Sequence, residues 1–519
     1  MRFDQSPHSA VIIATAASAL LFAVTVLADE MHRYDWITAG EVSGSHVLVV
    51  RDDGARVSDF EFNDRGRGPK IHEVLETGEK EMLVSLQISG HSYMGAPADE
   101  SFAVEDGMAR WKSTLEQGEA EAGGYYAAND GTPEQRAQMA RALLASESGQ
   151  LDLLPAGRAS IHKVLDKVVS YAGTEFPMAL YAINGLGLTP QYLWLDENRE
   201  LFALAGGWMG LVPQGMQEVL PELQEIQDQE EKNYHRKLAQ SLTSHLPANW
   251  IIRNVSVVDV ENGTLKQDQL VAVTDGRIVR VVEDKGLDLP VYGDMQPKII
   301  DGQGLTLIPG LWDMHTHLSL EDGLMQIAAG VTNVRDMGND PQRLAEIRAA
   351  FDDGEVIGPR STAVGFIDGK SPYSAPTQSL AGSLDEALAM VREYAAAGKP
   401  QIKIYSSIDP SWVQPLAVEI HRNGMRLSGH IPSYMTAQQA VIDGFDEVQH
   451  INMLFLNFLA GPEDDTRTPL RFSLVADKAG EMDLDAAPVK AFISLLKEKG
   501  TVIDPTVTIF DSMFRHRSG

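Results

Sequence analysis

From Trp250 onward the sequence alternates short strand-like runs with helical patterns, and this limits the fold more than any other feature. Strand-like runs fall at 307–315, 331–336, 361–367, 401–405, 426–431, 446–451 and 501–507. Between most of them lie helical stretches such as "PQRLAEIRAAFDD", "SLDEALAMVREYAAAG" and "SWVQPLAVEIHRNG". Strand, helix, strand at this spacing means βαβ units and a parallel sheet. The expected fold class is therefore α/β, with a (β/α)8 TIM-type barrel as its closed solution. An open doubly wound sheet also fits the pattern, but no glycine-rich nucleotide fingerprint follows any of these strands. Seven strands can be counted, so the barrel is expected to be incomplete in this chain.

The 519 residues are too many for one ordinary core. Residues 29–245 read as a separate β-rich α+β domain. Runs of β-favouring residues flank Asp52-Asp53-Gly54 and again Thr77-Gly78-Glu79, both hairpin signals. "GRGP" at 66–69 is turn chemistry, and "QYLWLDENRELFALAG" reads as another hairpin. "PEQRAQMARALLA" is helical, and the charged stretch after Pro213 reads as an amphipathic helix packing one stripe on a domain. "SHLPAN" (244–249) is the expected linker, followed by a small β-domain segment over 246–308 and the barrel over 309–519. No chemistry-bearing constellation stands out before residue 245. The histidines there are scattered and read as surface or satisfied groups.

Composition removes several function classes. With no cysteine, a disulfide framework, a zinc finger and a thiol nucleophile are excluded. Any transition-metal site must use His, Asp, Glu or a modified Lys. The net charge of -30 would repel nucleic acid and anionic membranes, so neither is an expected partner. Residues 1–28 read as a signal peptide, an uncharged run from Ala10 ending in Val26-Leu27-Ala28. The mature protein is then periplasmic or secreted, with an uncleaved N-terminal anchor as the alternative. No other run is long and apolar enough to span a membrane, and homo-oligomerisation is left open.

The chemistry-bearing residues gather at the ends of the later strands. In "LIPGLWDMHTHLSL", His315 and His317 are two residues apart, so they point to the same face of a strand. Alone such a pair is a weak signal. "QIKIYSS" places Lys403 between two isoleucines that can face the helices, leaving the lysine to face inward. A bare ammonium there would be costly to bury. Carbamylation by carbon dioxide would make it an anionic bridging ligand. "SGHIP" and "VQHIN" end two further strands in His430 and His450. Barrel active sites are built at the C-terminal strand ends. Four neutral nitrogen ligands plus one carbamate suit two divalent ions sharing a hydroxide. His421 falls inside a helical pattern and reads as structural; His516 reads as exposed.

"IIRNVSVVDV", "DGRI" and "IDGQGLTLIPGLWDMHTHL", followed in order by "GVTNVRDMG", "IKIY", "SGHIP" and "VQHIN", resemble the amidohydrolase superfamily. The later-strand motifs resemble the subgroup that includes metal-dependent Xaa-Pro and Xaa-Arg dipeptidases and imidazolonepropionase-like proteins. The resemblance covers about residues 250–519. It implies two zinc ions: His315 and His317 on the more buried one, His430 and His450 on the more exposed one, and carboxylated Lys403 bridging them. It implies a second-shell or substrate-proximal role for Asp336. Lys370, Tyr373 and Tyr405 would line the substrate pocket.

The function so implied is hydrolysis of an amide C–N bond, in a dipeptide-like or cyclic small molecule, by a metal-activated hydroxide. The family's proton-moving aspartate lies at the end of strand eight, which this sequence does not contain. Asp504 and Asp511 belong to the strand-seven region and do not read as substitutes. A truncated record of a longer protein is the favoured explanation. The alternatives are a non-catalytic binding or scaffold protein with a degenerate barrel, and a mononuclear deaminase or a lactonase of the same superfamily.

Overall fold

The computed structural model describes residues 29–286, 297–377 and 379–510. The expected signal peptide, His516 and Asp511 lie outside these residues.

Strands between Glu30 and Pro213 form one fifteen-stranded sheet. It is a meander in two halves, joined by antiparallel pairing of Glu30–Thr38 with Met209–Pro213. The hairpins at Asp52-Asp53-Gly54 and Thr77-Gly78 are present. Helix Pro133–Ala145 packs against the sheet through Ala137, Ala140 and Leu143. Strand Gln191–Asp196 is buried on both faces. Leu193 and Leu195 point to the core around that helix, while Tyr192 and Trp194 point to a second core under helix Leu220–Leu242. The free edge strand Gln117–Glu121 is polar, which blunts edge-to-edge pairing.

One histidine in this sheet differs from the expectation of satisfied or surface groups, and one carboxylate is fully buried. His46 is fully buried with neither ring nitrogen hydrogen-bonded, stacked on Tyr34 at 5.4 Å. Burial pushes its pKa down to about 3, so it is a neutral core ring. Glu73 is also fully buried and accepts from Thr132 N at 3.0 Å and Thr132 Oγ1 at 3.1 Å. Burial pushes its carboxyl up to about 8. The folded state then holds a proton that the unfolded state releases above about pH 4.5. The resulting stability is full below pH 4.5 and is lost as pH rises through 8. Denaturant titrations across pH 4.5–9 are expected to show that decline in wild type and a flatter profile in Glu73→Gln.

Strands Asn249–Asp259, Thr264–Thr274, Arg277–Glu283, Lys298–Asp301 and Thr306–Leu307 form a five-stranded sheet around Val255, Val271 and Val273. The parallel strands follow. The first is Leu311–Thr316 and the second Val331–Asp336. The third runs through Arg360–Ala363 and Gly365–Gly369. The fourth to seventh are Gln401–Ile404, Arg426–Gly429, Glu447–Gln449 and Val502–Asp504. The third strand changes partner along its length: its first part pairs with the second strand and its last part with the fourth. Seven strands thus follow one another through two parallel sheets, of three and six strands, that meet at the third strand, with helices such as Leu384–Ala396 and Val413–Arg422 between them. An eight-stranded closed ring is not formed among the described residues. Among the described residues the first and seventh strands are edges, and His315 on the first meets Asp504 on the seventh.

The fifteen-stranded sheet rests on this α/β part. Lys232 and Arg236 pair with Glu355, and Thr189 Oγ1 lies 3.2 Å from Glu321 Oε2.

Candidate metal centre

The sequence at each strand end explains why the histidines meet. Gly429 has φ +148°, and a Cβ there would stand 2.0 Å from the Ile404 carbonyl oxygen. Glycine therefore lets the fifth strand close against the fourth, and His430 N follows with a hydrogen bond to Ile404 O at 3.1 Å. His450 has φ +69°, a costly conformation for a non-glycine residue. It is held there by His450 N donating to Asp504 O at 2.8 Å and Ile451 N to Pro505 O at 3.0 Å.

His315, His317, Lys403, His430 and His450 come together. Ring centroids are 5.5 Å apart for His315–His317, 4.8 Å for His315–His450 and 4.6 Å for His430–His450. Lys403 Nζ is 3.3 Å from His315 Nε2. Every imidazole has its Nδ1 engaged elsewhere. His315 Nδ1 meets Asp504 Oδ2 at 2.8 Å, and His317 Nδ1 meets Gly338 O at 2.6 Å. His430 Nδ1 meets Ser406 Oγ at 3.1 Å, and His450 Nδ1 meets Thr506 Oγ1 at 2.8 Å. A carbonyl and a carboxylate only accept, so His315 and His317 carry the proton on Nδ1 and present Nε2 as a lone pair. Burial lowers the pKa of all four. They are neutral and able to ligate near pH 7.

Lys403 is fully buried and forms no ion pair among the described residues. Burial lowers its pKa to about 7, against the pull of Asp504 and Asp336. Among the described residues no three His, Asp or Glu side chains form a ready-made ligand group. The cluster divides instead into two histidine pairs with a lysine between them. A donor set of that kind fits two ions if Lys403 becomes anionic, which is the arrangement the family resemblance implies.

His430 is buried, and His315 and His450 are half-buried. Asp336 is a loop organiser. Its carboxylate accepts from Leu318 N at 2.8 Å, Gly338 N at 3.1 Å and Asn339 Nδ2 at 3.2 Å. It thereby fixes Gly338, whose carbonyl orients His317. Lys370 is exposed and turns to Glu386, 3.5 Å away, rather than toward the cluster. Tyr405 does reach the site, with its ring centroid 3.9 Å from that of His430. Tyr373 stands further out, 5.1 Å from the Arg467 guanidinium.

The sequence reading missed a polar floor beneath the cluster. Arg335, from the second strand, donates to Glu447 of the sixth at 2.6 and 2.9 Å and to Gln401 of the fourth at 3.2 Å. It also lies 3.3 Å from Asp504. Asp504 therefore joins the site through His315 Nδ1 and Arg335. Only the strand-end position of Asp504 signalled this. A charged residue inside a strand does not reveal a partner 112 residues away.

No family model matches the chain, and no curated protein matches it. Solved structures similar to it include a prolidase-like protein from Bifidobacterium longum: 22% identity, TM-score 0.34, covering 43% of this chain and 60% of that one. A Xaa-Pro dipeptidase with bound methionine in its active site is similar at 18% identity and TM-score 0.38, over 52% and 71% of the two chains. A bottromycin amidohydrolase is similar at 20% identity and TM-score 0.34, over 47% and 54%. The chain thus spans about 60% of the first of these relatives.

Proposed function

We propose that the protein is a metal-dependent hydrolase of an amide C–N bond in a small, dipeptide-like or cyclic molecule. The observation that carries this reading is the set of four neutral imidazoles, each tied back through Nδ1, around one buried lysine that has no carboxylate partner among the described residues. The amine of Lys403 can add to carbon dioxide: its lone pair forms the N–C bond, and an N–H proton leaves to solvent. The resulting carbamate would neutralise the buried cation and supply an anionic ligand between the two histidine pairs. Two divalent ions, zinc best matching imidazole donors, would supply an acidified water and polarise the scissile carbonyl.

The chain's own residues do the positioning. Asp504, Gly338, Ser406 and Thr506 fix the four rings. Tyr405 offers an aromatic face and a hydroxyl beside His430. Asp504 is engaged by His315 and Arg335, and Asp336 by backbone N–H groups, so neither is free to carry the proton to the leaving nitrogen. The uncharged run ahead of Asp29 supports export of this activity to the periplasm or beyond.

The test is a panel of dipeptides, cyclic amides and lactones, offered to purified full-length protein. Hydrolysis of an amide class is expected, abolished by a chelator and restored by added zinc. Activity indifferent to chelation, or none on any amide, would count against the reading; turnover of lactones alone would move it to ester chemistry.

A further inference from the structure

The large sheet and helix Pro133–Ala145 enclose a cavity that shares no residue with the histidine cluster. Trp36 and Phe60 line it from the first half of the sheet and Leu204 from the second, so it lies between the two halves. It measures about 470 Å³, within the roughly 300–1,000 Å³ of small-molecule sites. Phe60, Met139 and Leu154 give it buried apolar walls, whereas Pro155 is exposed, so the cavity opens to solvent.

One ionisable side chain, Arg136, lines this apolar space among the described residues. It lies in the first turn of the helix, is half-buried, and has no hydrogen-bond or ion-pair partner among the described residues. Burial lowers its pKa and no acidic neighbour raises it. A guanidinium still keeps its proton, so the charge is not relieved by titration. The acids around the helix are already engaged. Glu134 and Glu200 pair with Arg56 and Arg141. Glu73 accepts from Thr132, and Glu100 from the Tyr126 hydroxyl and the backbone of Asn129 and Asp130. A second donor is idle as well: Trp36 Nε1 is buried without a hydrogen-bond partner among the described residues. The N-terminal turn of the helix lies on the same wall, where its dipole favours negative charge.

We propose that this cavity binds a small organic monocarboxylate, with its apolar body against Phe60, Met139 and Leu154 and its anionic head on Arg136. One guanidinium balances one negative charge, and its planar fork matches a carboxylate. The large sheet is then a ligand-binding module, and the site does not depend on the hydrolase reading.

Calorimetry on full-length protein with octanoate, octanol and acetate tests this. Octanoate should bind, octanol about tenfold to a hundredfold more weakly, the range of a charge-assisted hydrogen bond. Acetate, which lacks the apolar body, should not bind measurably. Arg136→Met keeps the wall apolar and should reduce octanoate affinity to that of octanol, leaving octanol unchanged. Leu204→Trp fills the cavity and should weaken both. Without ligand, R136M should melt no lower than wild type, because the charge it removes has no partner. No octanoate binding by wild type, equal binding of octanoate and octanol, or octanoate affinity intact in R136M overturns the proposal. So does an R136M chain that melts lower than wild type, which would give the arginine a structural role, or an L204W chain that binds both ligands unchanged, which would put binding elsewhere.

Discussion

Lys403→Ala is expected to abolish turnover and to remove most of the bound metal. Lys403 lies between Ile402 and Ile404, all three fully buried, and its amine faces the histidine cluster. Loss of an outer partner of a metal ligand typically costs 10- to 100-fold. Loss of the group placed between both pairs should exceed about 100-fold in activity, measured as kcat/KM alongside metal content. Without metal the same residue should oppose folding. Its pKa falls from 10.5 unfolded to about 7 folded, so below pH 7 the folded chain carries the full burden of a buried ammonium. The metal-free Lys403→Met protein should therefore be more stable than metal-free wild type. The margin should be largest below pH 7 and shrink as pH rises toward 10.5. A Met variant that melts lower than wild type at pH 6 would show that the amine is a structural partner instead.

Arg335→Met should give the largest loss of stability. Its guanidinium is the charge partner of Glu447, and both are buried in the floor of the α/β part. Removing one member of a buried pair leaves an uncompensated charge and costs about 3–5 kcal/mol. The change also takes a partner from Asp504, which holds His315 Nδ1, so metal affinity should fall with stability. Replacing both members, Arg335→Met with Glu447→Leu, should recover much of the stability without restoring His315. Denaturant midpoints of the two single variants and the double variant check this. A single variant within about 1 kcal/mol of wild type would mean that the pair is solvated.

The sequence shows local chemistry more readily than long-range pairing. His315, His317, His430 and His450 were legible because each ends a short apolar run, and strand geometry turns them one way. Lys403 was legible because burying an amine between two isoleucines needs an explanation. Helix Pro133–Ala145 and the Asp52-Asp53-Gly54 hairpin follow from local propensity. The pairing of Glu30–Thr38 with Met209–Pro213 does not, since neither strand carries a mark of the other. The same limit hid Arg335 with Glu447, and the approach of Gly66 to Tyr373 and Pro469: "GRGP" spells a turn but not what the turn touches.

The central claim is that five side chains from four strands form a two-ion centre. Elemental analysis of full-length protein, purified and incubated with zinc and bicarbonate, tests it most directly. Two zinc ions per chain are predicted for wild type and fewer than one for Lys403→Ala. A wild-type chain that takes up no divalent ion, or a Lys403→Ala chain that still holds two, would contradict it.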